Sequence, residues 1–151
     1  MIDLDITELF EEIVKELPEG LEILYPNGKG GTKVVKSPRL NYIFGSSQYI
    51  KDILDEYSKS SAQSERKFPL VALFTPISED RGDADYFSKA KVSLIIACSS
   101  CKEWSNEMRR TTSFKNILRP IYKRLLEVLY EDSRFDCDYD EKVKHLSLIH
   151  I

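Results

Sequence analysis

An almost unbroken apolar run, FPLVALFT, occupies residues 68–75, and a second, KVSLIIAC, occupies residues 91–98. The first run has the pattern of a strand that is buried on both faces. The second is rich in the β-branched residues that favour strands. The stretch between them, residues 78–88, is polar and acidic, as expected of a loop. We therefore predict two antiparallel strands that are joined by a long hairpin loop.

Helical periodicity marks three segments around this hairpin. Apolar residues recur with the i, i+3, i+4, i+7 spacing of one helix face in residues 6–17, 49–57 and 114–129. Pro120 interrupts the last segment and removes one backbone hydrogen bond, so we expect a kink or a helix in two pieces there. Packing of these faces on the strands predicts one core cluster, which contains Ile13, Ile53, Leu73, Ile95, Leu118 and Leu125.

Shorter strand candidates lie at residues 21–25, 34–35 and 39–44. The order of all these elements predicts an α+β fold, in which a small, largely antiparallel sheet of about four strands has helices packed on it. We assign a single α+β domain to residues 1–146, because a chain of 151 residues can bury one core. The last five residues, SLIHI at 147–151, resemble a translated sequencing-adapter fragment, and we regard them as a doubtful tail without function.

Composition predicts an intracellular globular protein. The net charge is -3, which argues against a globally basic nucleic-acid binder. Three cysteines do not form a disulfide scaffold and suit a reducing compartment. The N-terminus is acidic and lacks the basic and apolar regions of a signal peptide. No apolar run approaches the roughly 20 residues that a membrane helix needs, so we expect no membrane partner.

The sequence offers little support for catalytic chemistry. No histidine precedes His145, which removes Ser-His-Asp and Cys-His nucleophile systems. The CSSC motif at residues 98–101 is the sharpest local signal, because paired cysteines after a strand can perform thiol-disulfide chemistry. The motif follows a hairpin, however, instead of opening a βαβ unit. Zinc needs four ligands, and beyond the motif the chain offers only Cys137, together with His145 and His150 at its doubtful C-terminal end. We expect no enzyme activity, metal or cofactor. Cys98 should be a structural residue in or beside the strand, with its side chain largely buried. An enzyme that uses Cys98 and Cys101 is the less favoured alternative.

Residues 26–39 form a glycine-rich, basic stretch without an acidic residue. Its GKGGTK segment departs from the phosphate-loop pattern, in which the lysine precedes serine or threonine and a helix begins. An exposed basic loop can contact nucleic acid or an acidic partner, although such lysines are more often solvated. We keep a nucleic-acid-binding module as an alternative function. It would use Lys29, Lys33, Lys36 and Arg39.

Charge is distributed unevenly between the two ends of the chain. Residues 1–22 contain eight acidic residues and one lysine, whereas residues 102–124 contain seven basic residues and two acidic ones. Unlike surfaces on one chain can make head-to-tail contacts that close into rings. We therefore predict a homo-oligomer, and expect its contact to join Glu8, Glu11 and Glu12 of one copy to Arg109, Arg110 and Lys123 of another.

Four stretches carry a family resemblance: NYIFG at residues 41–45, FPLVALF at 68–74, SLIIA at 93–97 and FK-x-IL-x-PIY at 114–122. Over residues 39–130 the chain resembles the small proteins that tailed phages and prophages of gut bacteria encode within their structural-gene clusters. The resemblance implies a tail-terminator or tail-completion role at the phage neck or tail end. It implies an α+β ring subunit that binds tail-tube or connector proteins, located in the virion and, during assembly, in the host cytoplasm. It assigns no site residue.

Overall fold

The computed structural model describes residues 5–26, 31–59, 67–80, 89–99 and 103–132. Within these ranges the α+β fold class is confirmed, and strand pairing is mostly antiparallel. The elements in chain order are α1 (Ile6–Glu16), β1 (Glu22–Pro26), β2 (Thr32–Lys36), β3 (Asn41–Gly45), α2 (Ser47–Ser58), β4 (Leu70–Asp80), β5 (Lys89–Ala97), α3 (Asn106–Met108), a π-helix (Arg109–Leu118) and α4 (Arg119–Glu131).

The chain divides into two compact units. The middle unit is Asn41–Ala97, and the terminal unit combines Met1–Leu40 with Cys98–Ile151. The strands accordingly form two sheets, one of three strands and one of two, where the sequence predicted a single sheet of about four. The assignment of one domain to residues 1–146 stays a prediction, and the doubtful tail at 147–151 lies outside the described residues.

In the middle unit, β4 lies at the centre of the three-stranded sheet. It pairs antiparallel with β5, which confirms the predicted hairpin strands, and it continues to Asp80 past a register irregularity between Phe74 and Ser78. On its other side β4 pairs in parallel with β3. A parallel pair needs a crossover connection, which α2 provides while packing on both strands. Ser46 caps α2 by accepting a hydrogen bond from the Tyr49 amide at 3.1 Å.

The core of the middle unit forms between α2 and the sheet. Its buried members are Ile43, Ile50, Leu70 and Ala72. Val71 and Leu73, on the opposite face of β4, are also fully buried, so β4 is buried on both faces as predicted. Ile95, by contrast, is 46% exposed, and its predicted place in the core is wrong. The reason is its position on the outer strand β5, whereas α2 packs on β3 and β4.

In the terminal unit, the strand candidates at residues 21–25 and 34–35 are confirmed as β1 and β2, which pair with each other in an antiparallel ribbon. Helix α1 packs on α4, while β1 packs on the π-helix and on α4. The buried side chains of these elements are almost all apolar: Phe10, Ile13, Val14, Leu17, Leu21, Ile23, Ile117, Ile121, Leu125 and Val128. Of the six residues predicted to form one core cluster, Ile13 and Leu125 are buried in this unit and Leu73 is buried in the middle unit.

The helical irregularity expected at Pro120 is a change of hydrogen-bond register. The Arg119 amide donates to the Phe114 carbonyl, five residues back, as in a π-helix. Pro120 follows with no amide hydrogen to donate. The change from π-helical to α-helical hydrogen bonding therefore occurs beside Pro120, where one backbone amide donor is already missing. The helical run then continues as α4.

From Ser113 to Leu125, every fourth side chain of this helical run is buried. The buried row contains Ser113, Ile117, Ile121 and Leu125. Leu118, which the helical periodicity placed at the centre of the core, is only half-buried beside this row. The π-helical segment has more residues per turn than an α-helix, and this displaces the apolar face from the positions that a uniform 3.6-residue period predicts.

The buried row can be tested by comparing Ile121→Ala with Leu118→Ala. Ile121 is fully buried, and its truncation should lower the free energy of unfolding by about 2–5 kcal/mol. Leu118→Ala should cost less, because a half-exposed side chain loses less apolar burial on truncation. Urea unfolding followed by circular dichroism measures both values. An equal or reversed order would contradict the row.

Candidate functional site

An exposed acidic face lies along α1. The helix begins after Asp5, whose carboxylate accepts hydrogen bonds from the Thr7 hydroxyl and from the Glu8 amide, the latter at 2.9 Å. These hydrogen bonds hold the pKa of Asp5 below its ordinary value, and the bond from the Thr7 hydroxyl has the largest effect. Because the apolar side of α1 is buried, the glutamates between its apolar positions face water. The acidic face consists of Glu8, Glu11, Glu12 and Glu16.

The structure brings all three predicted acidic residues onto this face. Glu8, Glu11 and Glu12 are each exposed. Glu11 forms an ion pair of 3.6 Å with Lys15, one turn further along the same helix. An exposed pair of this kind contributes little stability, but it partly offsets the charge of Glu11. Glu16, which the sequence analysis did not select, extends the face to the last turn of α1.

The three predicted basic residues are placed differently from one another. Arg109 is half-buried. Arg110 is exposed, but its Nη1 lies 3.2 Å from Oε2 of Glu107, so its charge is offset within its own helical run. Lys123 is exposed on α4, where Glu127, four residues further on, pairs with Arg124 instead. Of the three predicted cations, Lys123 therefore presents its charge most fully to water.

The positive surface around Lys123 is a row of cations that the sequence analysis did not select as a set. Lys115, Arg119 and Lys123 are exposed and lie four residues apart. They alternate with the buried row at residues 113, 117, 121 and 125, which places them on the opposite side of the helix. No acidic residue occurs from 108 to 126. We call these three residues the basic row; their i, i+4 spacing was readable in the sequence.

The basic stretch at residues 26–39 does not gather into one surface within the described residues. Lys29 lies outside them. Lys33 and Lys36 are both exposed on β2, but three positions apart on a strand they point to opposite faces. Lys36 Nζ also lies 3.8 Å from Oε1 of Glu22 on the paired strand. Arg39 is exposed beyond the strand.

Cys98 is half-buried directly after β5. Burial raises the pKa of its thiol, and the neighbouring Ser113 hydroxyl only partly opposes this rise. That contact is weak, because Ser113 Oγ has no partner of good hydrogen-bond geometry among the described residues. Burial, with the nearby Cys98, also raises the pKa of Tyr25. Catalytic thiols have lowered pKa values, so this environment does not favour the thiol-disulfide alternative.

Two further features bear on ligands and partners. Within the described ranges, no group of three or more histidine, cysteine or carboxylate side chains is placed to hold a metal ion. None of the described helices has the length and apolar character needed to cross a membrane. Cys101 and Cys137, the remaining cysteines, lie outside those ranges.

The raised pKa of Cys98 predicts slow alkylation at neutral pH. In a Cys101→Ser, Cys137→Ser variant, the rate of reaction with iodoacetamide should reach half its maximum above about pH 8.5, the ordinary value for a thiol. The same variant unfolded in urea provides the control and should show the ordinary midpoint. A midpoint below that of the unfolded chain would restore the thiol-disulfide alternative.

Comparison with protein-family models, with curated proteins and with solved structures found no match to this chain.

Proposed function

We propose that this protein is a structural subunit of a tailed-phage or prophage virion, placed at the neck or tail end. It binds its own copies and the tail-tube or connector proteins that it joins. The observation that carries this proposal is a pair of exposed, oppositely charged surfaces on the terminal unit, the acidic face of α1 and the basic row. The sequence resemblance to phage structural-cluster proteins supplies the setting, which is the virion and, during assembly, the host cytoplasm.

Unlike surfaces on one chain suit repeated association. A heterologous contact joins two different patches, so each copy retains one patch for a further neighbour and the series can close into a ring. Exposed ion pairs are individually weak, at about 0.2–1 kcal/mol each. Complementary charge acts mainly on orientation and association rate. Such a contact favours assembly where copies are already concentrated, as they would be on the end of a tail tube.

The alternatives receive less support from the described residues. A nucleic-acid surface on residues 29–39 would need its lysines on one side, whereas Lys33 and Lys36 lie on opposite faces of β2. A thiol-disulfide enzyme would need a stabilised thiolate, whereas the pKa of Cys98 is raised. The structural role needs no catalytic residue, metal or cofactor, and we assign none.

The proposal is tested by coexpressing the chain with the tail-tube and connector proteins encoded beside its gene. We expect it to copurify with at least one of them and to form ring-shaped ends on tubes seen by negative-stain electron microscopy. Tubes assembled without the chain provide the control and should lack these ends. A gene neighbourhood without virion structural genes, or tubes that are unchanged when the chain is present, would contradict the proposal.

A further inference from the structure

The acidic face of α1 contains a row with regular spacing. Glu8, Glu12 and Glu16 are exposed and lie four residues apart, so they follow one side of the helix. Eight residues of α-helix rise about 12 Å, which is the approximate length of the row. We call these three residues the acidic row. Glu11 and Lys15 form their ion pair on the adjacent strip of the same face.

The basic row has the same number of charges and the same spacing. Lys115, Arg119 and Lys123 also occupy positions i, i+4 and i+8, and all three are exposed. Residues 108–126 contain no acidic residue, so no carboxylate within that stretch offsets the charges of the basic row. Ion pairs of this helical run lie towards its two ends, between Arg110 and Glu107 and between Arg124 and Glu127.

The two rows face water within one copy. Helix α1 packs on α4 in the terminal unit, and the buried side chains of both helices are apolar. The acidic row is exposed on α1, and the basic row is exposed along the π-helix, which contains Lys115, and α4, which contains Arg119 and Lys123. Both rows are therefore accessible to another molecule.

We propose that the acidic row of one copy docks on the basic row of the next. The partner is a second copy of this chain, and three carboxylates meet three cations that have the same i, i+4, i+8 spacing in sequence. The central residue of each row meets the central residue of the other whether the two helices run parallel or antiparallel, so Glu12 faces Arg119 in both arrangements. The inference rests on the proposed function and specifies the contact through which the copies associate.

Charge complementarity selects this partner over a nucleic acid. A polyanion would neutralise the basic row but would leave the acidic row without a role, and it would be repelled by that row. A second copy occupies both rows with one contact repeated between successive copies. Because the paired charges are exposed, the contact should weaken as salt is raised.

Single charge reversals at the centre of each row test the contact. Glu12→Lys and Arg119→Glu should each raise the apparent dissociation constant for self-association by about tenfold or more, because each places like charges opposite one another. An equimolar mixture of the two variants should restore association, since each variant then meets complementary charges. Sedimentation velocity at about 0.05 M salt measures these effects, and about 0.5 M salt should reduce association of the parent.

Matched controls separate this contact from a general effect of charge. Lys51→Glu and Asp55→Lys make the same kinds of charge reversal on exposed positions of α2 in the middle unit, and they should leave association unchanged. Unfolding midpoints of all four variants check that the fold is intact. A DNA duplex of about 20 base pairs, added to the parent and to Arg119→Glu, tests the other occupant.

The outcomes distinguish the contact from the function on which it rests. If the parent associates and the two central reversals have no more effect than the α2 controls, the row contact is wrong while self-association stands. A mixture that fails to restore association also overturns the contact. The contact is likewise overturned if Arg119→Glu abolishes DNA retention while Glu12→Lys leaves self-association unchanged. If the parent associates neither in solution nor on tail tubes, the proposed function itself fails.

Discussion

Burial of every fourth side chain from Ser113 to Leu125 governs the organisation of the terminal unit. Since β1 packs on the π-helix, and β1 and α1 both pack on α4, these positions are held against the rest of the unit. Because these positions bury one side of the helix, the residues midway between them lie on the opposite side and face water. Those residues are Lys115, Arg119 and Lys123, so the packing of the apolar row aligns the cations.

Much of the backbone could be read from local patterns. The apolar content of residues 68–75 and the β-branched residues of 91–98 predicted β4 and β5, and helical periodicity predicted α2. The parallel pairing of β3 with β4 could not be read in this way, because it depends on how a crossover helix returns the chain. The exposure of Ile95 could not be predicted for a related reason: the sequence of a strand does not show whether that strand lies at the edge of a sheet.

For the charged surfaces as well, a count of charges along the sequence predicts one part of the result, and packing determines which charged side chains are exposed. Counting charges located the acidic and basic ends of the chain, and Glu8, Glu11 and Glu12, which it selected, are exposed on α1. It also gave Arg109 and Arg110 equal weight with Lys123. The count could not register that one arginine is half-buried and that the other is offset by Glu107 one turn earlier. Spacing relative to the buried row, and not net charge, identifies the cations that face water together.

The discontinuity of the terminal unit has a consequence for the order in which the chain folds during synthesis. Helix α1 ends at Glu16, and its partner α4 begins only at Arg119, with the whole middle unit between them. On the ribosome, α1 emerges with Phe10, Ile13 and Val14 long before the helix that covers them exists. The strands of the middle unit, contiguous in sequence, are all available by Ala97. Closing the terminal unit is thus the last and most non-local step, and until then the apolar side of α1 is exposed to neighbouring nascent chains and to chaperones.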